Sequence, residues 1–139
     1  MKFKHIGKML ILVILMGTGV TYAAGTAYVS LVNSTGSNFY LNKIGNGGTP
    51  AYCSQCNSTT GVSCTSTLTN SSAQCLALKT SGWIWLNYKY YLDGREIWPT
   101  FNVNTTGNGA KCSIEDHETK KYFNISGPDS KGKCTITRK

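Results

Sequence analysis

Asp93-Gly94 lies between two runs of alternating residues, and this arrangement constrains the fold more than any other stretch of the chain. A two-residue type I′ turn needs positive φ at both central positions, which Asp-Gly tolerates. Closing the turn there sets Leu92 opposite Arg95, Tyr90 opposite Ile97, Tyr88 opposite Pro99, Leu86 opposite Phe101 and Ile84 opposite Val103. Beyond the turn, every member of that face is apolar or aromatic. The other face pairs Tyr91 with Glu96, Lys89 with Trp98, Asn87 with Thr100, Trp85 with Asn102 and Trp83 with Asn104. A slip of one residue would exchange the two faces of each strand, so the pattern predicts a register as well as a hairpin over 83–104.

The remaining strands are shorter. Residues 28–32 and 39–44 are β-branched and aromatic runs joined by the turn formers Asn33-Ser-Thr-Gly-Ser37, which predicts a first hairpin. After the turn cluster at 105–109, alternation around Cys112 and Ile114, Phe123 and Ile125, and Cys134 and Ile136 predicts three more strands. Between the two hairpins, 45–82 is rich in Gly, Ser, Thr and Asn and holds four cysteines. Ser71 and Gln74 have capping-box spacing ahead of Cys75-Leu-Ala-Leu-Lys79, with Gly82 as a stop, which predicts a two-turn helix over 75–79. The expected fold is all-β: an antiparallel β-sandwich or squat barrel of about seven short strands, with one small helix and a disulfide-stapled loop.

The N-terminus has the order of a secretory leader. Lys2, Lys4 and Lys8 precede eight apolar residues at 9–16, and small residues follow at Ala23-Ala24. That apolar run is far short of the about 20 residues a spanning helix needs. The sequence therefore predicts a signal peptide over 1–23, cleaved after Ala23, and a single disulfide-stabilised β domain over 24–139 without a transmembrane anchor. Removing the leader takes three of the 14 Lys and Arg, leaving 11 bases against six acids and a net charge of +5. A modest positive field of that size suits anionic envelope lipid or acidic glycan and lacks the dense basic stripe of a nucleic-acid binder. Six cysteines, Cys53, Cys56, Cys64, Cys75, Cys112 and Cys134, lie in the exported part and read as three disulfides. Two are expected within the stapled loop, and the third joins Cys112 to Cys134 if both face inward on neighbouring strands.

Several constellations bear on chemistry. Cys53-Ser-Gln-Cys56 has the spacing of a redox dithiol, but its flanks supply no base, and a structural disulfide is the commoner meaning in an exported chain. A zinc site from Cys53, Cys56, Cys64 and Cys75 competes with oxidation in the same compartment. Glu115-Asp116-His117-Glu118 offers metal-ligating groups, yet four successive residues point in different directions and such a run usually forms a solvated turn. With His5 in the leader, His117 is the sole histidine available for acid-base catalysis, and no nucleophile elbow, phosphate loop or zinc-helix motif is present. Asn33, Asn57, Asn70, Asn104 and Asn124 each begin an Asn-x-Ser/Thr sequence. No cofactor and no metal is implied.

The sharpest candidate surface is the outward face of the central hairpin: Trp83, Trp85, Lys89, Tyr91, Trp98 and Asn102, with Asn87 and Asn104. Flat aromatics beside side-chain amides suit a ligand with apolar faces and polar edges, a sugar ring above all. Lys89 opposite Trp98 also predicts a cation–π pair, a purely structural role. The expected function is a secreted or periplasmic noncatalytic binding module that contacts a glycan, a lipid or an envelope or host protein through this face. The alternative is a secreted inhibitor or toxin-like effector presenting the Cys53-to-Cys75 loop to a protein partner, and after it a small secreted enzyme.

Overall fold

A computed structural model of the chain describes residues 21–23, 26–47, 51–54, 64–79, 82–106 and 109–139. The expected leader up to residue 20, Cys56 and Asn57 lie outside the described residues. Two sheets face each other in a sandwich-like, half-barrel arrangement. The strands are β1 (Thr21–Ala23), β2 (Thr26–Ser34), β3 (Phe39–Gly47), β4 (Ala51–Ser54), β5 (Thr67–Leu68), β6 (Ala73–Lys79), β7 (Trp83–Leu92), β8 (Arg95–Ile97), β9 (Thr100–Thr106), β10 (Gly109–Ser113), β11 (Phe123–Ser126) and β12 (Lys133–Arg138). One helix, α1 (His117–Tyr122), precedes β11. The first sheet runs β11-β12-β2-β6-β4, with β1 beside β2; the second runs β10-β9-β7-β3-β5, with β8 beside β7. Among the described residues all pairings are antiparallel except β12 with β2.

The central hairpin has the register its alternation dictates. Leu92 pairs with Arg95, Tyr91 with Glu96 and Tyr90 with Ile97, and beyond the break at Trp98-Pro99 the ladder resumes from Asn87 and Thr100 to Trp83 and Asn104. Asp93 and Gly94 take φ of 50° and 79°, as a type I′ turn requires. Ile84, Leu86, Tyr88 and Tyr90 of β7 are buried in the same core cluster as Phe101 and Val103 of β9. Val29 and Leu31 of β2, Leu76 and Leu78 of β6 and Ile136 of β12 belong to that cluster from the opposing sheet. At its centre Phe39 meets Tyr88, Tyr90, Phe101 and Phe123 with ring centroids 4.8–5.6 Å apart in tilted or edge-on contacts, the geometry ring quadrupoles favour. Burial raises the pKa of the Tyr88 hydroxyl well above its ordinary value and keeps it neutral.

Three local expectations are corrected. Residues 28–32 and 39–44 do not pair with each other: β2 belongs to one sheet and β3 to the other. The connection crosses between sheets because Asn33, wholly buried, donates from its amide to the carbonyls of Ser37 and Leu68 while its own oxygen accepts from the Thr35 N–H and hydroxyl. Second, residues 75–79 are strand, not helix, within β6. Ser71 sits at φ 65° in the turn that leads into β6, and the Gln74 side chain accepts from the Thr65 N–H rather than reaching back to Ser71, so neither half of a capping box forms. Third, the helix lies in the acidic run instead. The Asp116 side chain accepts from the Thr119 N–H as N-cap, Glu118 stands in the first turn, and Lys120 and Lys121 stand in the last, each charge at the favourable end of the helix dipole.

Cys53 bonds to Cys64, and Cys112 to Cys134. The second bridge differs from expectation in one respect. Its cysteines face inward, but on β10 and β12 of opposite sheets, so it crosses the core rather than joining neighbouring strands. Cys75 is also disulfide-bonded. With Cys53 paired to Cys64, the redox-dithiol reading of Cys53-Ser-Gln-Cys56 and the four-cysteine zinc reading both fall away. Among the described residues no helix is long and apolar enough to cross a membrane.

Candidate functional site

The outward face of the second sheet is built on an exchange of side-chain volume between two strands. Gly45 and Gly47 of β3 stand directly opposite Trp85 and Trp83 of β7. With no side chain on β3 to displace them, the indoles lie flat across it. A Cβ added to Gly45 would stand 2.1 Å from the Trp85 ring, and one on Gly47 would stand 2.2 Å from the Trp83 ring. Each glycine is thus the space a tryptophan occupies, a cross-strand pairing in which the aromatic covers backbone that would otherwise be wet. Trp85 is half-buried by this contact, and Trp83 remains 43 % exposed.

Trp85 borders an open groove of about 500 Å³ whose other walls are Asn42, Lys43, Asn87, Thr100, Asn102, Glu115 and Asp116. A bulge in β3 between Leu41 and Lys43 brings Asn42 to Asn87. Asn87 is fully engaged: its oxygen accepts from the Asn42 amide at 2.7 Å, and its own amide donates to the Thr100 hydroxyl at 2.8 Å and to the Trp98 carbonyl at 3.0 Å. That network fixes the groove floor. Asp116 holds the helix terminus with one oxygen, which accepts from Thr119 N–H at 2.7 Å. By contrast the side chains of Asn102, Lys43 and Glu115 make no hydrogen bond or ion pair with any described residue. An amide, an ammonium and a carboxylate therefore surround a flat indole with their bonding capacity free.

The other sequence-predicted residues are distributed differently than the hairpin alone implies. Lys89 does not lie over Trp98. Its ammonium sits 5.9 Å from the centre of the Tyr40 ring and 5.7 Å from that of Tyr91, because β3 supplies Tyr40 as its direct cross-strand partner. Trp98, 48 % exposed, falls where the β8 to β9 strand is interrupted and lines a separate cleft of about 340 Å³ with Pro99, Thr119 and Tyr122. The helix residue Thr119 accepts from the Thr100 N–H, and its neighbour Asp116 borders the Trp85 groove, so α1 stands between the two depressions. The structure therefore brings Trp83, Trp85 and Asn102 together, sets Lys89 and Tyr91 further along the same strand, and places Trp98 apart.

Reading the hairpin alone missed what β3 and the α1 terminus contribute: Asn42, Lys43, the two glycines, Glu115 and Asp116. One signal for the glycines was present. Gly45-Asn-Gly47 repeats the i, i+2 spacing of Trp83-Ile-Trp85, and a glycine inside a strand marks close approach. The acidic residues could not be placed from sequence, since Glu115 and Asp116 reach the groove only through the β10 to α1 connection. Among the described residues no three His, Cys, Asp or Glu side chains gather to hold a metal ion, and His117 is exposed on the first turn of α1. Comparison with family models, with curated proteins and with solved structures finds no match to this chain.

Proposed function

We propose that the chain is an exported, noncatalytic binding module that takes a glycan on the outer face of its second sheet, with Trp85 as the central contact. The observation that carries this reading is the indole held flat over Gly45 beside the free amide of Asn102. A rigid aromatic plane loses little entropy on binding and offers dispersion to the apolar face of a pyranose, while the amide and carboxylate around it satisfy the ring hydroxyls. The disulfides fit an oxidising, extracytoplasmic setting, which agrees with the leader-like N-terminus.

A glycan array run with wild type and Trp85→Ala tests it. Wild type retains a defined set of glycans, and Trp85→Ala loses about 2 kcal/mol or more of affinity for them. Its cost to folding is small, on the order of the 0.2 to 1 kcal/mol typical of a cross-strand pair. If Trp85→Ala binds as wild type does, the Cys53-to-Cys75 segment becomes the surface to examine.

A further inference from the structure

The Trp85 groove is one part of a longer surface. The outward residues of β7 are, in order, Trp83, Trp85, Asn87, Lys89 and Tyr91. At the far end Tyr40 and Tyr91 meet edge to face at 6.4 Å, both remain exposed, and Lys89 is held between them. Two aromatic patches thus lie on one strand face, with the hydrogen-bonded amides of Asn42 and Asn87 between them. At about 3.3 Å of rise per residue, Trp83 and Tyr91 stand about 26 Å apart along the strand, several times the width of one sugar ring.

The path carries charges of both signs, with Lys43, Glu115 and Asp116 at the Trp85 groove and Lys89 at the Tyr91 end, where Glu96 is the cross-strand partner of Tyr91. Lys43 and Lys89 are balanced by Glu115 and Asp116, and the carboxylates sit beside Trp85, where a ligand's first contact would be made. A polyanion would meet Glu115 and Asp116 across a short gap, and a polycation would meet the two lysines. Charge complementarity on this face therefore favours an occupant without net charge, although the chain as a whole is basic.

We infer that the face accommodates an extended, uncharged polysaccharide chain lying along β7, with sugar rings seated on Trp83 and Trp85 at one end and on Tyr91 at the other. This rests on the glycan reading above and adds to it the polymeric form and the charge of the ligand. Two seats on one chain act as linked contacts, so the second adds affinity without a second loss of translational freedom.

The test is calorimetric titration of the whole protein with two length series, cello-oligosaccharides and N-acetylated chito-oligosaccharides from disaccharide to hexasaccharide, with oligogalacturonate as the charged counterpart. Wild type gains at least tenfold in affinity from disaccharide to hexasaccharide in one series, which identifies the sugar, and binds oligogalacturonate more weakly. Tyr91→Ala removes the gain with length, whereas Trp85→Ala weakens every length. Asn102→Ala, which leaves both aromatic patches intact, weakens all lengths together and serves should Trp85→Ala fail to fold. A disaccharide bound as tightly as the hexasaccharide, or a Tyr91→Ala variant with an unaltered length profile, overturns the extended chain and leaves a single-sugar groove at Trp85. Tighter binding of oligogalacturonate overturns the assignment of charge. Absence of binding by wild type in all three series overturns the extended chain and the glycan reading together.

Discussion

The two faces of β7 are made from one ten-residue strand and do opposite things. Inward, Ile84, Leu86, Tyr88 and Tyr90 are closed off from solvent and joined to the other sheet. Outward, Trp83, Trp85 and Tyr91 are comparably large and aromatic, yet their cover comes from two glycines and one tyrosine of the next strand instead of a second layer. Hydrophobicity alone does not separate the two sets. What separates them is whether a sheet lies opposite, so alternate residues of the same strand report on the two faces separately.

The strongest way to break this contrast is to disable the inward face. Reducing the protein opens Cys112–Cys134, which ties the two sheets across the core, as well as Cys53–Cys64. Each bridge contributes about 2–4 kcal/mol, so thiol treatment abolishes the cooperative thermal transition. A reduced protein that melts as the oxidised one does would show that the core holds without its cross-links. Next, Leu86→Ala and Phe101→Ala, which are register partners with no exposed surface, each lower stability by about 2–5 kcal/mol in chemical denaturation. Asn102→Ala on the other face stays within about 0.5 kcal/mol of wild type. Equal losses at all three positions would mean both faces are buried.

Gly45→Ala sharpens the contrast from the outward side. The new methyl group occupies the position of the Trp85 ring and forces it off the sheet, at an overpacking cost of about 1–3 kcal/mol. Tryptophan emission shifts to longer wavelength as the indole enters water, and an unshifted spectrum would show that the ring does not rest there.

The smallest effect belongs to a residue on neither face. The Asp129 carboxylate accepts from the N–H groups of Lys133 and, secondly, Lys131, which hold its pKa below the ordinary 3.8. Because the folded value lies below the unfolded one, this stabilisation is complete above the unfolded pKa and is lost as pH falls through the folded value. Asp129→Asn therefore narrows the difference in melting temperature between neutral and strongly acidic buffer, and an identical acid profile in the variant would refute the assignment.

Legibility in the sequence follows how each strand is buried. β7 and its partners could be read to the residue because one face is wet and the alternation is visible. β6 could not, since Gln74, Cys75, Leu76, Ala77 and Leu78 are all buried and the strand shows a continuous apolar run with no period to distinguish it from a helix. The β2 to β3 connection misled for another reason: its turn formers are those of a hairpin, and the decisive contacts of Asn33 run to Leu68, far along the chain. At the candidate site the hairpin residues were legible, and the contributions of β3 and α1 depended on tertiary placement.

The parallel pairing of β12 with β2 has a kinetic meaning. Lys133 to Thr137 align with Ser30 to Ser34 across about a hundred residues of intervening chain, so closing the first sheet carries the loop-closure entropy of most of the chain. Such a topology belongs with the slow end of single-domain folding, in milliseconds to seconds. Until it closes, residues 30–34 of β2 present an unpaired edge. The Cys112–Cys134 bridge, which closes a loop of only 22 residues, then fastens this long-range pairing to the opposite sheet.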